Sequence, residues 1–438
     1  MMLLLGLTIT QKVMIGTSLL GCVAGVIGSF AVLRRRALVG DMLAHAALPG
    51  ICLAFLLMGR RQIVGLMFGA FLAGLAGIGL LTLVQRWTRT REDAAIGIVL
   101  STFFGAGIVL LTIISRMPLG GKSGLESFLF GAAATMRNVD IAVIAGVSLV
   151  CLLILLLFYK EFKVYSFDPE FARSQGWPAV ALDLMMMGTL TAVTIVGLPA
   201  VGVVLMAAMI IMPAAAARFW TERLGRMLIL AGVVGLLMGS VGTLLSIQQQ
   251  LAPGPVIVLT GAALFTFSML FAPSRGVVAG LWRGVRLRKK TAYENLLRTL
   301  FELSEPELPT RPVIGLESIS AERTWSRRQL ARLLRLAIRA ELVMGQAGGV
   351  QLTQSGLEKA AALTRRHRLW ELFLIQGANI APDHVDRDAD SIEHYLSPEL
   401  VQVLEQRLAA TGRLPAGPGS VPHSPHDLTG GTAERLWQ

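Results

Sequence analysis

Apolar residues dominate the first 272 positions in long runs interrupted by short charged breaks, and the pattern changes afterwards to mixed, helix-periodic segments. About 20 apolar residues are needed to cross a bilayer at 1.5 Å per residue. The runs therefore predict crossings near 13–33, 38–58, 62–85, 95–115, 139–158, 181–197, 200–217, 227–246 and 254–272. The first is kept as a span because it lacks the short apolar core and cleavage pattern of a removed signal peptide. Glycine and other small residues recur within these runs, as close helix packing in lipid requires. The pair at 181–217 is short for two full spans, and Gly197-Leu198-Pro199 at its centre predicts a broken helix with irregular backbone at membrane depth; one long kinked helix is the alternative. Beyond Ala272, a helix is expected at Tyr293–Leu303, a loop at Pro306–Pro312, a helix at Trp325–Val343 with Leu330, Leu333, Leu334 and Ile338 on one face, and a short wing-like strand at Gly345–Leu352. The fold class expected is an all-α polytopic membrane protein of about nine transmembrane helices, followed by a cytoplasmic, mainly α, winged-helix-like domain.

Composition sharpens the division. Of 438 residues, 54% are hydrophobic and 16% charged, against about one-quarter charged in ordinary soluble domains. Only 18 of the 40 Lys+Arg and 10 of the 28 Asp+Glu precede Ala272. A single water-soluble enzyme is excluded, and the net charge of +12 is not by itself a nucleic-acid signature, because basic residues collect at membrane edges. The basic groups Arg34–Arg36, Arg86/Arg89/Arg91, Lys160/Lys163/Arg173, Arg218/Arg223/Arg226 and Arg283–Lys290 fall on one side of the predicted spans. That side is cytoplasmic by the positive-inside rule, which puts the N-terminus outside and the C-terminal part inside; the loop at 116–138 is an imperfect fit. Cys22, Cys52 and Cys151 lie in apolar stretches at spacings that suit neither a disulfide framework nor a metal site. The domain boundaries read as 1–275 for the membrane part, 276–292 for a basic juxtamembrane linker attracted to anionic lipid, 293–410 for the soluble domain (293–355 winged helix, 356–410 metal-binding and dimerisation helices) and 411–438 for a flexible tail with His423 and His426.

Two charged residues stand inside the apolar layer. Asp41 and His45 are four apart in the second run, hence on one helix face. Ionisable groups there are costly unless they line a pathway or pair; together they offer oxygen and nitrogen ligands to Mn²⁺, Zn²⁺ or Fe²⁺. A purely structural Asp–His hydrogen bond is the alternative.

Around this pair the sequence carries a resemblance. Arg35-Arg36-Ala37-Leu38-Val39-Gly40-Asp41, continuing to His45 and Leu48-Pro49-Gly50, is similar to the ABC-3 family, the membrane permeases of manganese, zinc and iron importers. Arg91–Ile98, Phe167–Arg173 and Met212–Arg218 agree with it in the same order. The resemblance implies a permease that dimerises with itself or a second permease in the bacterial cytoplasmic (inner) membrane, receives metal from an external solute-binding protein, and is driven by a separate ABC ATPase subunit. It maps the transport-path ligands onto Asp41 and His45, and ATPase coupling onto Pro213, Ala214, Arg218, Glu222 and Arg223 with Phe167, Asp168 and Glu170. No permanently bound cofactor is expected; the divalent metal is substrate. Gly120-Gly121-Lys122-Ser123 is not a P-loop, because Arg116 stands where its first glycine is required.

The C-terminal part resembles iron- and manganese-dependent repressors of the diphtheria toxin repressor type, through Leu352–Glu358, Arg365–Leu374 and Ala389–Ser397. His367 with Glu371, and Asp390 with Glu393 and His394, repeat spacings of three and four that can gather a Mn²⁺ or Fe²⁺ ligand set; solvated faces with ordinary ion pairs are the alternative. Arg327, Arg328 and Arg332 on the candidate recognition helix could contact DNA phosphates, or the helix could serve a protein partner. The pattern departs at Asn295, where a first-helix ligand is expected, at Arg298, where manganese-type repressors have a carboxylate, and at Asp386, where iron-type ones have a histidine. A regulatory or dimerising module that senses internal metal is the expectation. A membrane-tethered DNA-binding regulator, a metal-chelate permease and a proton-coupled transporter are the competing readings.

Overall fold

The computed structural model describes residues 8–59, 62–117, 128, 131, 136–323, 325–377, 398–410 and 421–422. The chain divides into two compact units, Met1–Leu281 and Trp282–Gln438, and each is described by itself.

The first unit is a helical bundle: α1 (Ile9–Leu33), α2 (Val39–Met58), α3 (Ile63–Trp87), α4 (Glu92–Arg116), α5 (Asn138–Leu157), α6 (Tyr159–Phe167), α7 (Pro169–Ser174), α8 (Ala179–Trp220), α9 (Leu224–Gln249) and α10 (Pro253–Phe271). Among the described residues eight helices are long and apolar enough to cross a bilayer. Each coincides with a run read from the sequence. The predicted span at 200–217 is instead the short apolar helix Leu205–Trp220. It joins Ala179–Val203 at Gly202, whose φ of 80° and ψ of 172° leave the helical region. The break thus falls at Gly202, not at Gly197-Leu198-Pro199. A glycine is required because a side chain at that φ would meet its own backbone, whereas Pro199 sits within the helical stretch. Residues nine apart on a straight helix are separated by about 13.5 Å along the axis, yet Gly197 faces the Met206 sulfur, so the chain turns back sharply at the break.

Small residues bring α1 into the centre. Gly21, Gly25 and Gly28 follow one another along one face, and their Cα atoms rest on the carbonyls of Gly235, Ala231 and Ile210. Thr17 hydroxyl adds contacts across to Gly239 O at 3.3 Å and Thr243 Oγ1 at 3.0 Å. In lipid there is no hydrophobic drive between helices, so close backbone approach and interhelical hydrogen bonds carry the association. α1 and α2 are accordingly the inner helices, while α4 and α10 turn most of their surface outward.

In the second unit, α11 (Val277–Ser304) straddles the division and is helical through the basic stretch expected as a linker. A 3-10 turn (Glu305–Glu307), α12 (Leu316–Glu322), α13 (Arg327–Arg339), the antiparallel strands β1 (Val343–Gln346) and β2 (Gly349–Leu352), α14 (Gln354–Gly377) and α15 (Pro398–Ala410) follow. Ser326 caps α13 by accepting from Gln329 N. The strands join through Ala347-Gly348, with Gly348 at φ 96°, and Ile314 adds a bridge to Val350. Leu296, Leu300, Ile319, Leu330, Leu333, Leu334, Val350 and Leu352 form the core. The predicted apolar face of α13 is therefore its buried face, except that Ile338 is exposed and Ala337 takes its place. Arg365 pairs with Glu405 at 2.9 Å, fastening α15 to α14. Arg368 forks onto Glu305 at 2.7 and 2.6 Å and donates to Pro422 O at 2.7 Å. Burial disfavours that guanidinium's charge, but Glu305 and the neighbouring carboxylates outweigh it, and its pKa is raised above the ordinary arginine value.

Candidate metal path and coupling surface

Asp41 sits in the first turn of α2, and His45 one turn on. The His45 Nδ1 lies 2.9 Å from the Asp41 backbone carbonyl and 3.5 Å from Asp41 Oδ1. A carbonyl only accepts, so Nδ1 is the protonated nitrogen and Nε2 carries the lone pair of the neutral ring. The edge-to-face contact with Phe104, centroids 5.0 Å apart, fixes the ring from the side. Both side chains keep partial exposure, 21% for His45 and 34% for Asp41, whereas Met42, Leu43, Ala44 and Ala46 around them are buried. The pair thus stays accessible on an otherwise buried stretch of α2. Among the described residues no group of three or more His, Cys, Asp or Glu gathers to hold a metal ion. Two donors with a free carboxylate edge suit a cation that must bind well enough to enter and weakly enough to leave.

The eight residues expected at the coupling surface separate into three kinds. Phe167, Arg218 and Glu222 line one cleft together with Leu33, Met227 and Arg275, and Glu222 pairs with Arg275 at 3.0 Å. Asp168 caps α7 by accepting from Phe171 N at 2.9 Å; Glu170, in the first turn of α7, and Arg223, which precedes α9, are exposed. Pro213 and Ala214 are buried, Pro213 against Gly25 of α1, and so present no docking surface. They are wall residues because the short helix after Gly202 lies against α1 through Met209, Ile210 and Pro213, while Arg218 near its end is exposed.

A further cluster joins residues that lie far apart in the sequence. Arg34 and Arg36, in the turn between α1 and α2, both bind Asp183 near the start of α8, Arg36 at 3.2 Å. Arg36 also reaches Glu92 at the start of α4, at 2.6 Å, and Arg34 lies over the Tyr165 ring at 4.7 Å. The signal for it was Asp183, a lone carboxylate opening an otherwise apolar run. Asp183→Asn leaves two arginines facing each other without their shared anion in a partly buried place, a loss of about 1–3 kcal/mol. The expected result is a clearly lower melting temperature of the purified protein in detergent, with Arg137→Gln, whose side chain is 63% exposed, changing little.

In the second unit, His367 and Glu371 are brought together, Nε2 to Oε1 at 3.1 Å, and both are buried. Asp390, Glu393 and His394 lie outside the described residues, as do Asp386, His423, His426 and the 120–123 segment. Arg327, Arg328 and Arg332 are exposed on α13, opposite its buried face.

Comparison with known proteins places these features. Residues 7–272 match the model of the ABC 3 transport family, and residues 353–418 match that of the iron dependent repressor, metal binding and dimerisation domain. The chain is 41% identical over 409 residues to the manganese transport system membrane protein MntC of Bacillus subtilis (strain 168), covering 93% of each. It is 42% identical over 278 residues to the zinc transport system membrane protein TroC of Treponema pallidum (strain Nichols), covering 63% of this chain and 93% of that one. The solved structure of PsaBC from Streptococcus pneumoniae in complex with Fab superposes with a TM-score of 0.56 at 31% identity, over 62% of this chain and 95% of that one. A multi-pass membrane bundle, followed by a region that matches the repressor domain, accounts for both matched regions, and the chain belongs to the ABC 3 transport family.

Proposed function

We propose that this chain is the permease subunit of an ATP-driven importer that carries a divalent transition metal, Mn²⁺ first with Zn²⁺ and Fe²⁺ close behind, across the bacterial inner membrane into the cytoplasm. The observation that carries the reading is the Asp41–His45 pair: a carboxylate and an imidazole whose Nε2 lone pair is left available, on a helix whose other neighbours are apolar and buried. Manganese is favoured by the manganese relative, which runs nearly the full length of the chain, and by hard-to-borderline donors without a thiolate.

In this reading the Arg34–Arg36 end faces the cytoplasm, and the ATPase subunit docks over the cleft lined by Phe167, Arg218 and Glu222. An external solute-binding protein delivers the ion at the opposite end, and a second permease, identical or different, completes the pathway. The C-terminal unit is a cytoplasmic regulatory or dimerising module.

The test is reconstitution of the chain with its ATPase, its solute-binding protein and any second permease in lipid vesicles, and measurement of Mn²⁺, Zn²⁺ and Fe²⁺ accumulation with and without ATP. ATP-dependent accumulation of one of the three is expected. Accumulation of none, in vesicles where ATP is hydrolysed, refutes the reading and returns the metal-chelate alternative.

A further inference from the structure

The buried polar site of the C-terminal unit already contains a cation. Arg298 of α11 points Nη1 at His367 Nδ1, 2.6 Å away, and its Nε lies 3.4 Å from Glu302 Oε1. His367 in turn meets Glu371 through Nε2 at 3.1 Å. Arg298 and His367 are 3% exposed and Glu371 2%.

The direction of each hydrogen bond follows from the chemistry of the groups. A guanidinium has donors only and does not lose its proton in proteins. His367 Nδ1 must therefore accept, and its lone pair is spent on Arg298. The ring's proton is then on Nε2, where it is donated to Glu371. Both nitrogens of His367 are engaged, and neither has a lone pair to offer a metal. Glu371 also has positive charge near it without a metal: Arg298 reaches it through the imidazole, and Arg368 interacts with it electrostatically. For a divalent ion to take His367 Nδ1 it would have to break the hydrogen bond that a buried guanidinium makes there, and disrupting a buried charged pair is costly.

We propose that Arg298 occupies the cation position of this site permanently, so that His367 and Glu371 form a structural relay and not a metal-sensing centre. The unit is then held by its own chain in one arrangement whatever the metal level, and any influence it has on transport passes through contacts, not through metal occupancy at His367. The inference is independent of the transport reading, because it is read by metal stoichiometry and not by uptake.

The experiment uses the full chain, purified in detergent with Asp41→Ala and His45→Ala to remove the transport-path ligands. Mn²⁺ bound after desalting is measured by mass spectrometry. In this background His367→Gln, which keeps a polar group of similar bulk, is expected to leave the bound Mn²⁺ unchanged. Arg298→Glu, which exchanges the resident cation for a carboxylate, is expected to gain one Mn²⁺ per chain, and adding His367→Gln should remove that gain. A loss of one Mn²⁺ per chain on His367→Gln while Arg298 is present overturns the proposal. So does an Arg298→Glu chain that elutes as a folded protein and gains none.

Discussion

Replacing Asp41 by alanine is expected to lower ATP-driven metal accumulation at least 100-fold, with the protein still folded in the membrane. Perturbing even the outer partners of a metal ligand costs about 10- to 100-fold, and Asp41 is read as a ligand itself. The variant is informative because of how His45 is held. Its Nδ1 donates to the backbone carbonyl of Asp41, 2.9 Å away, and that bond, like the Phe104 contact, survives loss of the side chain. His45 stays aimed as before, so a loss of uptake reports on the carboxylate alone. His45→Ala is expected to fall as far. Asp41→Asn keeps the shape and removes the charge, and it should resemble the alanine variant if the cation needs the anion. Uptake within twofold of the parent in both Asp41→Ala and His45→Ala, measured with the isotopes of all three metals, makes the pair a structural hydrogen bond.

The second large effect lies where α1 crosses α9. Gly235→Leu is expected to abolish recovery of folded protein, and Gly235→Ala to lower the melting temperature sharply. A Cβ at Gly235 runs into the carbonyl of Gly21, and one at Gly21 into the carbonyl of Gly235. Overfilling a side-chain core costs about 1–3 kcal/mol because neighbouring side chains give way. Here both walls are helix backbone, which cannot rotate aside, and α1 must separate from α9 along its length. Gly146→Ala in α5 is the control, since nothing lies within 4 Å of its Cβ position. Size-exclusion profiles of the three variants in mild detergent check this; a monodisperse Gly235→Leu peak at the parent's yield contradicts it.

These two sites were not equally legible in the sequence. The eight long helices were visible because hydrophobic length is a local property, and Asp41 and His45 stood out because two ionisable residues in an apolar run are conspicuous on their own. The Gly197-Leu198-Pro199 signal predicts the turn five residues before Gly202, where it falls. Proline is tolerated inside a membrane helix, as Pro199 is, and only the backbone angles reveal which glycine leaves the ladder. The family resemblance puts Pro213 and Ala214 at the coupling surface; their burial, with Pro213 against α1, is a tertiary fact with no local trace. The Arg34–Arg36–Asp183–Glu92 cluster was hidden for the same reason, since its members are separated by as many as 149 residues. Arg298 stood out as a departure, but that its guanidinium occupies the site required seeing where α11 passes α14.

The placement of α1 at the centre of the bundle also sets a timetable for synthesis. Thr17 and Thr243, which touch across α1 and α9, are 226 residues apart. At roughly 5–20 residues per second, α1 leaves the ribosome some 10–45 seconds before α9 exists. Until α8 and then α9 arrive, its glycine-lined face has only lipid or insertion machinery against it. α1, made before the other helices of this bundle, is thus among the last of them to complete its packing, and nascent chains halted before α9 should be the ones that quality-control proteases remove fastest.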